Sequence, residues 1–296
     1  MMRQFSKTAC FDWSGANGKR QPGIALAICN ADGGVQNISQ NGGWSRILAM
    51  QWIKEQIDNH ADILIGIDMS FALPFCDLGA YFPHWNDSPL SPSQLWQMID
   101  TISAQDAGLG INILLQHHEI SRHFRHGGGI CGDKFTGGMG RLRTVEQYQH
   151  EIGSGRSASC FNLVGAAQVG KSSLTGMRML HQLNGQIPIW PFDPVPDSGP
   201  CLIEIYTSIA AHKAGMTGNK KKFDDDEAMT EAIRALNGHV LKLPDAPIPN
   251  RPDKHVYDAM VTAAWMRQAA RQHENWTIDE KFREKIAKEG WTFGIN

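Results

Sequence analysis

The chain has 296 residues, 42% of them apolar and 20% charged, with a formal net charge of −2 at pH 7. That length and apolar share suit one large globular domain or two of ordinary size. The near-zero charge gives no global pull on nucleic acid, so a polyanionic partner would need a local basic groove. No apolar run reaches the about eighteen residues of a membrane span, and the first six residues lack the apolar centre of a secretory signal. A cytoplasmic protein without a membrane partner is expected. The six cysteines, Cys10, Cys29, Cys76, Cys131, Cys160 and Cys201, lie far apart with no C-x-x-C pair, which predicts buried, reduced thiols and neither a zinc ribbon nor a disulfide framework.

Residues 7–13 are an apolar run carrying Asp12, residues 23–30 follow after a Gly/Lys turn, and residues 35–39 follow the Asp32-Gly33-Gly34 turn. This spacing predicts a three-stranded antiparallel meander. Between Ser45 and His60, Ile47, Leu48, Met50, Ile53 and Ile57 lie broadly on one face, predicting a helix. Asp62 then leads into the apolar run 63–67, and a crossover helix implies that this strand lies parallel to a neighbour.

Residues 76–196 are rich in Gly, Pro, His and Trp and read as an insertion covering the site, with helices near 93–103 and 173–183. A proline-rich turn from Trp190 returns the chain to a strand over 201–206, and helices follow over about 225–236, 256–271 and 278–288. The expected division is a core of residues 1–75 and 197–275, the insertion 76–196, and a C-terminal surface helix and tail, 276–296.

Four acids end or follow apolar runs: Asp12, Asp68, Glu204 and Asp258. An apolar strand that finishes on a carboxylate places an acid at the open end of a sheet, and several such ends side by side can hold Mg²⁺ or Mn²⁺ through oxygen ligands. Each acid alone also reads as a helix cap or a turn residue. Glu204 lies inside its run and could instead pair with Lys213 or Lys220. His255 sits one helical turn before Asp258, so the two can face one point, as a metal ligand or proton carrier and as a neighbouring carboxylate; a capping or surface histidine is the other reading.

Through Phe11-Asp12-Trp13-Ser14-Gly15, Gly66-Ile67-Asp68-Met69-Ser70, Trp190-Pro191-Phe192, Glu204-Ile205-Tyr206 and Tyr257-Asp258-Ala259, the chain resembles a domain-of-unknown-function family described as predicted RNase H-like nucleases. The same scaffold is similar to that of Holliday-junction resolvases. The resemblance implies an α/β fold with an RNase H-like mixed sheet, three antiparallel strands followed by parallel ones, flanked by helices and interrupted by the insertion. It also implies a two-metal site of Asp12, Asp68, Glu204 and Asp258, with His255 beside it, that hydrolyses phosphodiesters in nucleic acid. Two cations about 4 Å apart would activate a water and stabilise the leaving oxygen. A non-catalytic nucleic-acid-binding protein with a vestigial site is the alternative of a different class.

Lys171, Lys19, Trp13 and Lys213 are the candidate substrate contacts, Trp13 by stacking on a base and the lysines through phosphate. Lys220, Lys221 and Lys222 could join them or form a solvated loop. Residues 165–172 satisfy the G-x-x-x-x-G-K-[ST] phosphate-loop pattern, with residues 160–164 as its preceding strand. A nucleotide phosphohydrolase using Gly165 to Ser172 is therefore a rival reading, although no downstream apolar run ends in a Walker B aspartate. The sugar-kinase and actin-like ATPases supply a further rival, in which Lys19 stands in a phosphate-binding hairpin after Asp12.

Overall fold

The computed structural model describes residues 3–154, 157–164, 169–216, 225–237 and 253–296. Among the described residues the sheet has six strands: β1 (Lys7–Asp12), β2 (Ala25–Asn30), β3 (Val35–Ile38), β4 (Ile63–Asp68), β5 (Ile189–Trp190) and β6 (Cys201–Ile205). Their order is β3-β2-β1-β4-β6-β5. β1, β2 and β3 pair antiparallel, whereas β1 with β4, β4 with β6 and β6 with β5 pair parallel. The meander and the parallel β4 match the sequence expectation. The two-residue β5 is an edge strand that no periodicity announces.

Eight α-helices flank this sheet among the described residues: α1 (Arg46–Asp58), α2 (Pro92–Ile102), α3 (Thr144–Glu151), α4 (Val169–Leu183), α5 (Thr207–Lys213), α6 (Asp226–Leu236), α7 (Lys254–Ala269) and α8 (Arg283–Glu289). Their starts follow capping chemistry. Ser45 accepts the Leu48 amide ahead of α1, and Ser91 accepts the Gln94 amide ahead of Pro92, the first residue of α2. Asp225 and Asp253 accept backbone amides at the starts of α6 and α7.

Both sheet faces are covered, which is why β1, β4 and β6 read as continuous apolar runs rather than alternating ones. On one face Ala9, Phe11, Ile65, Ile67 and Leu202 pack with α1, α2 and α4 in a single buried cluster. On the other, Cys10, Leu64, Cys201, Ile203 and Ile205 pack against α7, which is backed by α5 and α6. Gly66 allows α7 to approach β4 closely: a Cβ there would lie 2.7 Å from Met266 Sδ and 2.9 Å from Ile205 Cγ2.

The helices α2 and α4 of residues 76–196 pack directly on the sheet, where Leu95, Trp96, Leu174 and Leu180 are continuous with the strand side chains of the main core. The C-terminal segment is more than a surface element. Most of α8 is exposed, yet Glu289, Trp291, Phe293 and Ile295 are each at most 3% exposed, and the last three join the α7 cluster. The charged sequence of α8 drew attention away from the apolar alternation that follows it. No helix of the described residues is long and apolar enough to cross a membrane.

Candidate active site

Register decides which acids can meet. Phe11 pairs with Ile67 in the parallel β1–β4 ladder, so Asp12 and Asp68 are the next residues in step at the same end of neighbouring strands. Phe11 and Ile67 face the α1/α2/α4 side, and side chains alternate along a strand, so Asp12 and Asp68 point to the α7 side. The first turns of α7 arrive there. His255 Nδ1 lies 2.9 Å from Asp12 Oδ2, and Asp253 accepts the His255 backbone amide at 3.0 Å, which fixes the start of the helix. Asp258, one turn further, is 7% exposed.

The electrostatics show three acids acting on one region. Burial pushes the Asp68 carboxyl up to about 8, and the charge of Asp12 and, less strongly, of Asp258 adds to that shift. A hydrogen bond from Thr207 Oγ1 to Asp68 Oδ2, 2.8 Å, works in the opposite direction. The Cys10 thiol, one residue before Asp12, is likewise held well above its ordinary range, first by burial and then by Asp12, Asp68 and Asp258. Thr207 begins α5 immediately beyond β6, a contact that the sequence did not announce.

Glu204 is not part of this group. It pairs with Ile67 in the β4–β6 register and shares that residue's face, opposite to Asp68. Its Oε1 lies 2.6 Å from Arg143 Nη2 and also accepts the Thr292 hydroxyl, while Oε2 accepts Arg143 Nη1 and the Phe71 amide, both at 2.8 Å. Arg143 also bonds Glu146 at 3.0 Å, and all three side chains are at most 4% exposed. Burial alone would lower the Arg143 pKa, but Glu204 and Glu146 hold it well above its usual value. The expected metal ligand is thus a structural counter-ion that ties α3 to the segment after β4 and to the C-terminal tail. The one-residue register that separates the faces is not visible in a run with an acid inside it.

The expected substrate contacts also divide. Trp13 is 5% exposed and its indole N–H donates to Thr175 Oγ1 at 3.3 Å, so its ring is core packing and offers no face to a base. Lys213 is exposed in the last turn of the seven-residue α5, ~9 Å along the helix from Thr207. Lys19 is exposed in the β1–β2 loop. Lys171, half-buried in the first turn of α4, lies against that loop, because a Cβ on Gly15 would be 2.4 Å from Lys171 C and 2.5 Å from Lys171 Cβ. Lys220, Lys221 and Lys222 lie outside the described residues.

Residues 165–168 of the phosphate-loop pattern also lie outside the described residues. Its described half is committed to the protein itself. The Gly170 amide donates to Asn162 O at 3.1 Å and the Ser172 hydroxyl to Val169 O at 2.9 Å. Residues 160–164 contribute an isolated bridge, Asn162 with Arg125, and no strand of the sheet. These contacts do not support a nucleotide cradle at Gly170.

Among the described residues, no group of three or more His, Cys, Asp or Glu converges closely enough to hold a metal ion as the side chains stand. No protein family, curated protein or solved structure matches the chain.

Proposed function

We propose that the protein is a divalent-metal-dependent phosphodiesterase acting on nucleic acid, built on an RNase H-like core. What carries the reading is the placement of Asp12 and Asp68 in step at the ends of adjacent parallel strands, on the face that also receives Asp258 from α7. The strand order β3-β2-β1-β4-β6, antiparallel and then parallel, supports the core assignment, with β5 as an added edge. Six free cysteines suit a reducing, cytoplasmic setting.

The donor chemistry fits a hard cation. The charges of Asp12 and Asp258 raise the proton affinity of Asp68, and Mg²⁺ or Mn²⁺ would relieve that repulsion through oxygen ligands. Binding requires the Asp12, Asp68 and Asp258 side chains to turn further toward one another, with Asp12 shared between the cation and His255. A bound cation supplies a polarised phosphodiester and a water of lowered pKa. The chain supplies the rest: the three carboxylates hold charge, and Thr207 holds Asp68 by its Oδ2. With Nδ1 against Asp12, any proton that His255 exchanges with substrate passes through Nε2.

Calorimetric titration of Mn²⁺ into the metal-free protein tests the reading. Saturable binding that weakens at least about ten-fold in Asp68→Asn is expected; no binding heat in the wild type would sink it.

A further inference from the structure

The β1–β2 loop is shaped by two buried donors. Arg46, the first residue of α1 and 2% exposed, donates from Nη1 to Ser14 O at 3.0 Å and Ala16 O at 2.9 Å, and from Nε to Gly108 O at 2.9 Å. Gln21, 1% exposed, donates from Nε2 to Gly18 O at 2.6 Å, and its Oε1 accepts the Arg46 amide at 3.0 Å. The carbonyls of residues 14, 16 and 18 are therefore all drawn inward. In a trans peptide the N–H points opposite to the preceding carbonyl. The amides of Gly15, Asn17 and Lys19 are thus turned away from Arg46 and Gln21, and none has an acceptor among the described residues. Residues 16–20 are exposed and Gly15 is half-buried, so this row of amides runs from the edge of the α4 contact out to the surface.

The charge behind the loop is unbalanced. Arg46 has no carboxylate partner among the described residues, whereas the nearby Arg178 is met by Asp100 at 2.7 Å. Burial, and then the charge of Arg178, hold the Arg46 pKa down at about 10. A buried cation without a counter-ion is costly, and an anion seated on the loop would offset it. Lys171, which makes no ion pair among the described residues, starts beside Gly15 and adds a second positive charge at the flank. Only Trp13 separates Ser14 from Asp12.

We propose that residues 14–19, backed by Arg46 and flanked by Lys171, form a phosphate-binding site that seats a backbone phosphate of the strand whose scissile bond reaches Asp12. For its polymer the inference rests on the function proposed above; for phosphate it rests on the loop. Outward amides and a flanking ammonium recognise phosphate without reading a base.

The test is ¹⁵N NMR of the full chain in EDTA, titrated separately with inorganic phosphate, ADP and a single-stranded oligonucleotide. Phosphate and the oligonucleotide should shift the Gly15, Asn17 and Lys19 amides, and Lys171→Gln should weaken oligonucleotide binding about ten-fold while the spectrum stays folded. Amides that respond to none of the three ligands overturn the site. A response to ADP without one to the oligonucleotide overturns the strand and assigns the loop to a nucleotide. The two proposals also fail separately. If the amides respond but Mn²⁺ yields no cleavage, the phosphate site stands and the nuclease falls. If a strand is cut while the amides stay silent and Lys171→Gln cuts as well as wild type, the nuclease stands and the phosphate site falls.

Discussion

His255 and Asp12 are joined at 2.9 Å, Nδ1 to Oδ2, across 243 residues of sequence. This contact fastens the first turn of α7 to the end of β1 and so helps set where Asp258 stands on the face it shares with Asp68. It also links an imidazole, which can carry a proton, to a carboxylate of the proposed site. His255→Ala should leave the fold intact, because the side chain is 44% exposed, yet lower metal-dependent activity by about 10- to 100-fold. His255→Ala with wild-type turnover across pH 6 to 9 would remove it from the mechanism.

Asp68 makes stability depend on pH in a defined direction. Its folded pKa lies above the unfolded value of about 3.9, so the folded state binds the proton more tightly. In metal-free buffer this group's contribution is most favourable below about pH 4, declines as pH rises, and levels off above about pH 8. Wild type should lose roughly 5 °C or more of melting temperature between pH 5.5 and 8.5 relative to Asp68→Asn, and Mn²⁺ should restore the loss. Parallel melting profiles for the two proteins would show that Asp68 is not strained by its neighbours.

Glu204 should behave as a structural residue. Glu204→Gln removes a counter-charge from fully buried Arg143, at a cost of about 3–5 kcal/mol measured by urea unfolding. Where the variant still folds, Mn²⁺ binding should persist. Loss of metal binding with unchanged stability would return Glu204 to the ligand set.

Gly15 is predicted to tolerate no side chain. Its Cβ would enter the backbone of Lys171 and Ser172 at 2.4–2.5 Å, so Gly15→Ala must push the β1–β2 loop off α4. A stability loss of about 1–3 kcal/mol, with weakened oligonucleotide binding, is expected. Unchanged melting and binding would mean that the loop does not rest on α4.

Much of this fold is legible in the sequence because its signals are long. Residues 63–67 are apolar throughout and begin after a predicted helix, which gives both β4 and its parallel pairing; Asp12 and Asp68 could be named from the ends of such runs. Glu204 could not be sorted from them, since its face depends on the β4–β6 register, a tertiary property. Arg46 drew no attention because a lone arginine at a helix start looks solvent-exposed, and only the folded loop supplies the carbonyls that bury it. The alternation Trp291, Phe293, Ile295 was a readable signal of burial, hidden by the charged helix before it.

The most direct measurement is cleavage of labelled single-stranded, duplex and branched DNA and RNA in Mn²⁺ or Mg²⁺ by wild type, Asp12→Asn, Asp68→Asn and Asp258→Asn. Metal-dependent cleavage of at least one substrate, reduced about 100-fold or more in each variant while the folded state persists, is the predicted result. Cleavage that survives all three substitutions, or no cleavage of any substrate by wild type with either metal, would contradict the account.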